Sequence, residues 1–173
     1  MRRRFLLNAL PVLLLCPTFL CAAEPESADL RYFRELVETR NYSLGQPVSP
    51  QLTPDGKAVI FLRGAARDPV LRLYEFTIAD GKLREILSPE KLLQGAEEKL
   101  TAEERSRRER SRQSLRGFTS FKLSKDGSQI LVALSSKLYV IARADGGVTE
   151  LPGKNWIDPH FSPDGRAVAA VWG

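Results

Sequence analysis

Three short segments of one shape decide what this chain can fold into. They run Leu52-Thr53-Pro54-Asp55-Gly56-Lys57-Ala58-Val59-Ile60, Leu123-Ser124-Lys125-Asp126-Gly127-Ser128-Gln129-Ile130-Leu131 and Phe161-Ser162-Pro163-Asp164-Gly165-Arg166-Ala167-Val168-Ala169. Each joins a short strand to an apolar strand through a hydroxyl residue and an Asp-Gly turn. Proline presets φ at the first turn position, aspartate bonds its own backbone, and glycine accepts positive φ. Apolar residues on both sides of an Asp-Gly pair predict a β-hairpin.

A second repeat lies between these. Leu73-Tyr74-Glu75-Phe76-Thr77-Ile78-Ala79-Asp80-Gly81 matches Leu138-Tyr139-Val140-Ile141-Ala142-Arg143-Ala144-Asp145-Gly146 at a constant offset of 65 positions, and each copy continues into a further short strand. Two hairpins in about 40 residues make a four-stranded antiparallel blade, the repeat of a β-propeller. Asp126 and Asp164 are 38 positions apart, one blade period. The fold class expected is mostly β: about two and a half propeller blades over 48–173.

Asp55 and Asp126 are 71 positions apart, so about 30 residues are inserted into the first period. The stretch from about 89 to 116 supplies them and reads as helix. Thr101 followed by Glu104 forms a capping box, acids precede arginines along the dipole, and Glu103–Arg107 and Glu104–Arg108 are i,i+4 pairs. Its apolar face is thin, which predicts a solvated helix that stops near Gly117. The acids mixed among its arginines argue against a basic RNA-binding arm.

The N-terminus carries a different signal. Arg2, Arg3 and Arg4 precede an apolar run from Phe5 to Leu20, and Cys21-Ala22-Ala23 follows. This is the layout of a secretory signal peptide over 1–23. The run is 16 residues and holds Asn8, Pro11 and Pro17, whereas a membrane-spanning helix needs about 20 apolar residues. Arg2 to Leu6 fits both an ordinary export signal and the core of a twin-arginine one. Leu20 occupies a position where lipoprotein processing at Cys21 needs a small residue. A lead-in segment, 24–47, follows, and Leu30, Phe33, Leu36 and Val37 give it helical spacing from Ala28 to Thr39. That face is expected to pack against the propeller.

Removal of the signal changes the composition. The chain has 26 Lys+Arg and 21 Asp+Glu. Subtracting the three leader arginines leaves 23 against 21, so the basic balance is no nucleic-acid footprint. Both cysteines, Cys16 and Cys21, lie in the leader. The mature chain is expected to hold no disulfide, thiol nucleophile or thiolate metal site.

Glu38-Thr39-Arg40-Asn41-Tyr42-Ser43-Leu44-Gly45, the first-blade hairpin, the Glu97–Arg112 insertion and Asp158-Pro159-His160-Phe161-Ser162-Pro163-Asp164-Gly165, in that order, resemble the start of the bacterial dipeptidyl peptidase IV branch of prolyl oligopeptidase-type serine peptidases. The resemblance covers position 38 to the C-terminus. It implies an eight-bladed propeller gating an α/β-hydrolase domain that releases dipeptides from peptide N-termini. It also allows a homodimer of the full-length protein. The Ser-Pro-Asp-Gly motif alone is shared with periplasmic Tol-type propellers, so a non-enzymatic protein-binding module is the alternative.

No catalytic residue, cofactor site or metal site is assigned within the chain. The G-x-S-x-G elbow that such peptidases need occurs nowhere in it. The one histidine, His160, sits in a strand and reads as structural. Glu97-Glu98 and Glu103-Glu104 belong to the insertion and are not the family's substrate-amine pair, which the resemblance places beyond Gly173. The Asp-Gly turns lack the acid spacing of a calcium loop. The strand Val168–Trp172 has no following hairpin partner, so the chain is expected to be part of a longer propeller, acting on peptides through a hydrolase domain it lacks. With the leader removed, no membrane or nucleic-acid partner is expected, and the location is periplasmic or secreted. Mass spectrometry of the exported protein should find Glu24 as its first residue; an intact Met1–Arg4 in cytoplasmic protein would refute the leader.

Overall fold

The computed structural model describes residues 27–96, 98, 100–110 and 114–172. The expected leader, 1–23, lies outside the described residues. The elements are α1 (Ala28–Glu38), β1 (Val48–Leu52), β2 (Ala58–Ala65), β3 (Asp68–Thr77), β4 (Leu83–Leu87), α2 (Pro89–Leu93), α3 (Ala102–Arg110), β5 (Arg116–Gly117), β6 (Phe121–Leu123), β7 (Gln129–Leu134), β8 (Lys137–Ala142), β9 (Val148–Glu150), β10 (Trp156–Phe161) and β11 (Val168–Trp172). Strands β1-β2-β3-β4 form one antiparallel sheet, β6-β7-β8-β9 a second, and β10-β11 the start of a third. These are two four-stranded blades and half of another. All five Asp-Gly pairs fall between paired strands, with the glycines at φ of 68° to 75°.

Alternation along the strands builds the core between the blades. Ile60 and Leu62 on β2 and Leu71 and Leu73 on β3 join Ile130, Val132 and Leu134 on β7 and Tyr139 and Ile141 on β8 in one buried cluster. Phe118, in the connection, is fully buried within it. The intervening Phe61 and Tyr74 stack on each other outside that cluster, at 6.0 Å between ring centres. Each strand thus divides its apolar residues between two faces, as a period of two demands. β10 packs on β6 and β7, continuing the stack.

The three blade-opening turns share one hydrogen-bond device. The hydroxyls of Thr53, Ser124 and Ser162 each donate to the aspartate two residues on, Asp55, Asp126 and Asp164, at 2.6 Å. The same hydroxyls accept the N–H groups of Ala58, Gln129 and Ala167 at 3.1, 2.9 and 2.9 Å. Each aspartate in turn accepts an N–H from the residue after its glycine at 3.1 Å. The carboxyls are held below their usual range, chiefly by those hydroxyl donors. Asp126 also accepts from the Ser128 hydroxyl, and its pKa falls to about 2.

The insertion differs from its expected form. It contains two short helices, α2 and α3, and then a strand: β5 pairs parallel with β3, Val70 against Arg116 and Leu71 against Gly117. Gly117 therefore does not stop a helix. It has φ of 76°, and a Cβ there would meet the Leu71 carbonyl oxygen at 2.6 Å, so only glycine lets the two backbones approach. The i,i+4 pairs and capping box expected at Glu103, Glu104 and Arg107 fall on side chains outside the described residues.

The lead-in helix also departs from expectation. Ser27 caps α1 through its hydroxyl, but no residue of α1 is buried, and Leu30, Phe33 and Val37 are exposed. Its ties to the first blade include ion pairs from Arg67, 2.8 Å from Glu38 and 3.9 Å from Glu35. The apolar spacing formed the helix without supplying it a place in the core. Among the described residues no helix is long and apolar enough to cross a membrane.

The turn device generates a graded prediction. Ser124 is buried, so Ser124→Ala strands the Gln129 N–H and should cost about 1–3 kcal/mol in urea unfolding. At the half-buried Ser162 water replaces the hydroxyl, and Ser162→Ala should cost less than about 1 kcal/mol. Because the three carboxyls titrate below their unfolded value of 3.8, the stability they bring is complete above that pH and fades as pH falls below it, in the case of Asp126 down to about 2. Equal losses in the two variants would refute the burial argument.

Candidate functional site

The first strands of the second and third blades carry the cluster nearest to reactive chemistry. Lys122 on β6 reaches across to β10, its Nζ 2.8 Å from Asp158 Oδ1 and 2.8 Å from His160 Nε2. His160 Nε2 lies 3.0 Å from the same Asp158 oxygen. Lys122, then His160, hold the Asp158 carboxyl below its usual range. All three side chains contact solvent, and the arrangement ties two blades together.

A serine within two residues of a histidine invites comparison with a nucleophile and its base. Ser162 does not fill that role: its hydroxyl donates to Asp164 and accepts from Ala167. A catalytic serine must instead give its proton to the base. Among the described residues no group of three or more His, Cys, Asp or Glu side chains could hold a metal ion.

A second cluster welds the first blade to the second. Arg143, in the β8–β9 turn, donates from Nε and Nη2 to Glu75 Oε1 at 2.9 and 2.6 Å. Arg84 donates to the other Glu75 oxygen and to the Arg143 carbonyl, the latter at 2.7 Å. The Glu75 side chain is only 9% exposed. Burial opposes its ionisation, but the bonds from Arg84 and Arg143 outweigh that and hold its carboxyl below the usual range.

The remaining feature is the rim where the insertion meets the second blade. Arg108 on α3, expected to be solvated, is buried; its Nη2 donates to Glu98 Oε1 at 2.8 Å. Glu98 Oε2 accepts the Gly117 N–H at 3.1 Å. The carboxylate thus holds α3 and β5 together. Beneath α3 lies a cavity of about 480 Å³, walled also by the β7–β8 turn and the start of β10.

That turn is strained. Leu134 pairs with Lys137, leaving Ser135 and Ser136 as a two-residue loop with φ of 50° and 66°. Two positive φ values define the type I′ turn that favours Asn-Gly. Serine in the left-handed region costs about 1–2 kcal/mol per residue. Asn155 in the facing wall has φ of 59° and donates its N–H to the Ser136 carbonyl at 2.9 Å. The Ser135 hydroxyl and the Trp156 Nε1–H are buried without a hydrogen-bond partner among the described residues. Sequence reading missed this rim because its parts lie far apart in the chain; the one local signal was a two-residue gap, Ser135-Ser136, without the expected glycine.

No family model matches the chain. Among solved structures it is similar to TolB from Acinetobacter baumannii, with 18% identity over 72% of this chain and 26% of that one, at a TM-score of 0.45. It is also similar to a prolyl endopeptidase studied for the role of inter-domain dynamics in catalysis and specificity, with 13% identity over 81% of this chain and 19% of that one, at a TM-score of 0.54. The chain therefore spans about a quarter or less of each. With its blades in sequence and the second of these folds, it is a partial β-propeller.

The clamp at Glu75 yields a prediction. Glu75→Ala leaves the Arg143 guanidinium without its acceptor in a mostly buried position. Discounted for the exposure of Arg84, the loss should be about 1–3 kcal/mol in denaturant unfolding. In the parent chain this contribution is present above pH 4.5 and fades as pH falls below it, because the folded carboxyl titrates lower than the unfolded one. A variant as stable as the parent at pH 7 would show that the clamp adds no stability.

Proposed function

We propose that this chain is the N-terminal propeller part of an exported dipeptidyl peptidase IV-like serine exopeptidase. Its role is to gate and position peptide substrates for a hydrolase domain outside these 173 residues. The observation that carries the reading is the order of features: lead-in, first-blade hairpin, Glu/Arg-rich insertion, second blade, then Asp158 to Gly165. A bare run of Ser-Pro-Asp-Gly hairpins would suit any propeller, whereas the charged insertion at this one place is a narrower pattern. The commitment of the Ser162 hydroxyl to a turn agrees with a supporting part, since nucleophilic catalysis needs an activated serine, an orienting acid and an oxyanion hole.

Gly-Pro and Ala-Pro p-nitroanilides test the reading. The 173-residue chain should not hydrolyse them above background, and protein extended through a G-x-S-x-G domain should. Turnover by the chain that Ser162→Ala abolishes would overturn the supporting role. A reading frame with no hydrolase sequence after the propeller would overturn the peptidase assignment and leave a Tol-type protein-binding module.

A further inference from the structure

The rim cavity has the make-up of a ligand site. Arg108 and Arg110 reach it from α3 and Lys137 from β8, and among the described residues no carboxylate lines it. Arg108 and Lys137 are already paired, with Glu98 and Glu150. Arg110 is exposed and makes no ion pair or hydrogen bond among the described residues. Ile157, which is exposed, and the half-buried Trp156 give the same cavity apolar surface, whereas Leu134 and Leu138 are buried in the blade.

Its wall is also poorly satisfied by protein groups. The Ser135 hydroxyl lies in the wall without a partner among the described residues, in a turn whose φ values suit glycine. Strained backbone and an orphaned buried donor at one cavity mark a site poised for something else to complete it. Rotation about the single side-chain bond of Ser135 lets the hydroxyl meet a group inside.

We propose that this cavity binds a carboxylate carried on an apolar group. Arg110 supplies a positive charge with no ion-pair partner among the described residues, Ser135 a hydroxyl donor, and Ile157 and Trp156 the surface for the apolar part. A charged acceptor suits the site because guanidinium and hydroxyl donors bond an ionised oxygen more strongly than a neutral one. Inorganic phosphate offers nothing to the apolar walls, which decides between the two kinds of anion. The carboxylate can belong to a free organic acid or to a peptide C-terminus. The proposal stands independently of the peptidase reading, since it needs only the rim.

Calorimetric titration of the full chain with 4-phenylbutanoate, with intrinsic tryptophan fluorescence from Trp156 and Trp172 as a second signal, tests it. The carboxylate should bind at least ten-fold more tightly than 4-phenylbutanamide. Arg110→Gln should weaken it five- to ten-fold at unchanged melting temperature. Ser135→Gly should weaken it as well while raising the melting temperature by about 2–4 °C, because glycine relieves the turn. Opposite movement of affinity and stability is a signature that a merely structural serine would not give. Ala-Ala-Phe against its C-terminal amide distinguishes the sources: preference for the acid form places peptide ends in the site, and refusal of both peptides restricts it to small acids. Equal binding of 4-phenylbutanoate and 4-phenylbutanamide, unchanged affinity in either variant, or tighter binding of inorganic phosphate would overturn the proposal.

Discussion

A propeller blade has two apolar faces and cannot bury either alone. Ile60, Leu62, Leu71 and Leu73 point one way from the first sheet, and Phe61 and Tyr74 the other. The first set is dry only because Ile130, Val132, Leu134, Tyr139 and Ile141 of the next blade cover it. Each of these side chains is worth roughly 1.5–3 kcal/mol on full burial, so blade stacking dominates the energetics. Everything polar at the blade boundaries acts on that stack by fixing how two sheets meet, because apolar contact alone is non-directional.

The fixing is done near the turns. Pro54 of the first blade-opening turn sits where a side chain on Gly127 of the second would be, 2.7 Å from that Cβ position. Arg143 joins Glu75 on one blade to the turn of the next and approaches Asp55 at 3.9 Å. Lys122 repeats the idea one boundary later with Asp158. These contacts sit beside hairpins already locked by their own hydroxyl and aspartate, so little freedom is lost in making them. A clamp on a floppy turn would cost more order than it returned.

That division explains what could be read in advance. Asp-Gly turns with a hydroxyl two residues before the aspartate complete their hydrogen bonds within about six residues, so Thr53, Ser124 and Ser162 announced the hairpins and, by their spacing, the blades. The Glu75–Arg143 clamp spans 68 positions and looks in sequence like two unrelated surface charges. Arg108 belongs to a helix whose charge predicted solvation, yet Glu98 and the Gly117 N–H give it a buried seat that no local pattern reveals. Gly117 read as a helix stop because positive φ serves both a stop and a close strand pairing. The helix α1 erred in the other direction: amphipathic spacing specifies a helix but not a surface for it to cover.

The candidate site combines these two kinds of information. Its floor is the end of a well-packed hairpin, with Leu134 and Leu138 buried. Its roof is the insertion, where the Glu98 carboxylate bonds both a helix arginine and a strand N–H. A rigid sheet can hold a turn such as Ser135-Ser136 in an unfavourable conformation because strands on either side pair through to Leu134 and Lys137. An isolated loop would relax instead. Blade stacking, which tolerates large insertions between repeats, thus supplies the rigidity that strain needs, and the insertion supplies charge where the stack itself is apolar. Local turn chemistry sets the blades, and long-range placement sets the rim; any binding chemistry here follows from their meeting at one edge of the second sheet.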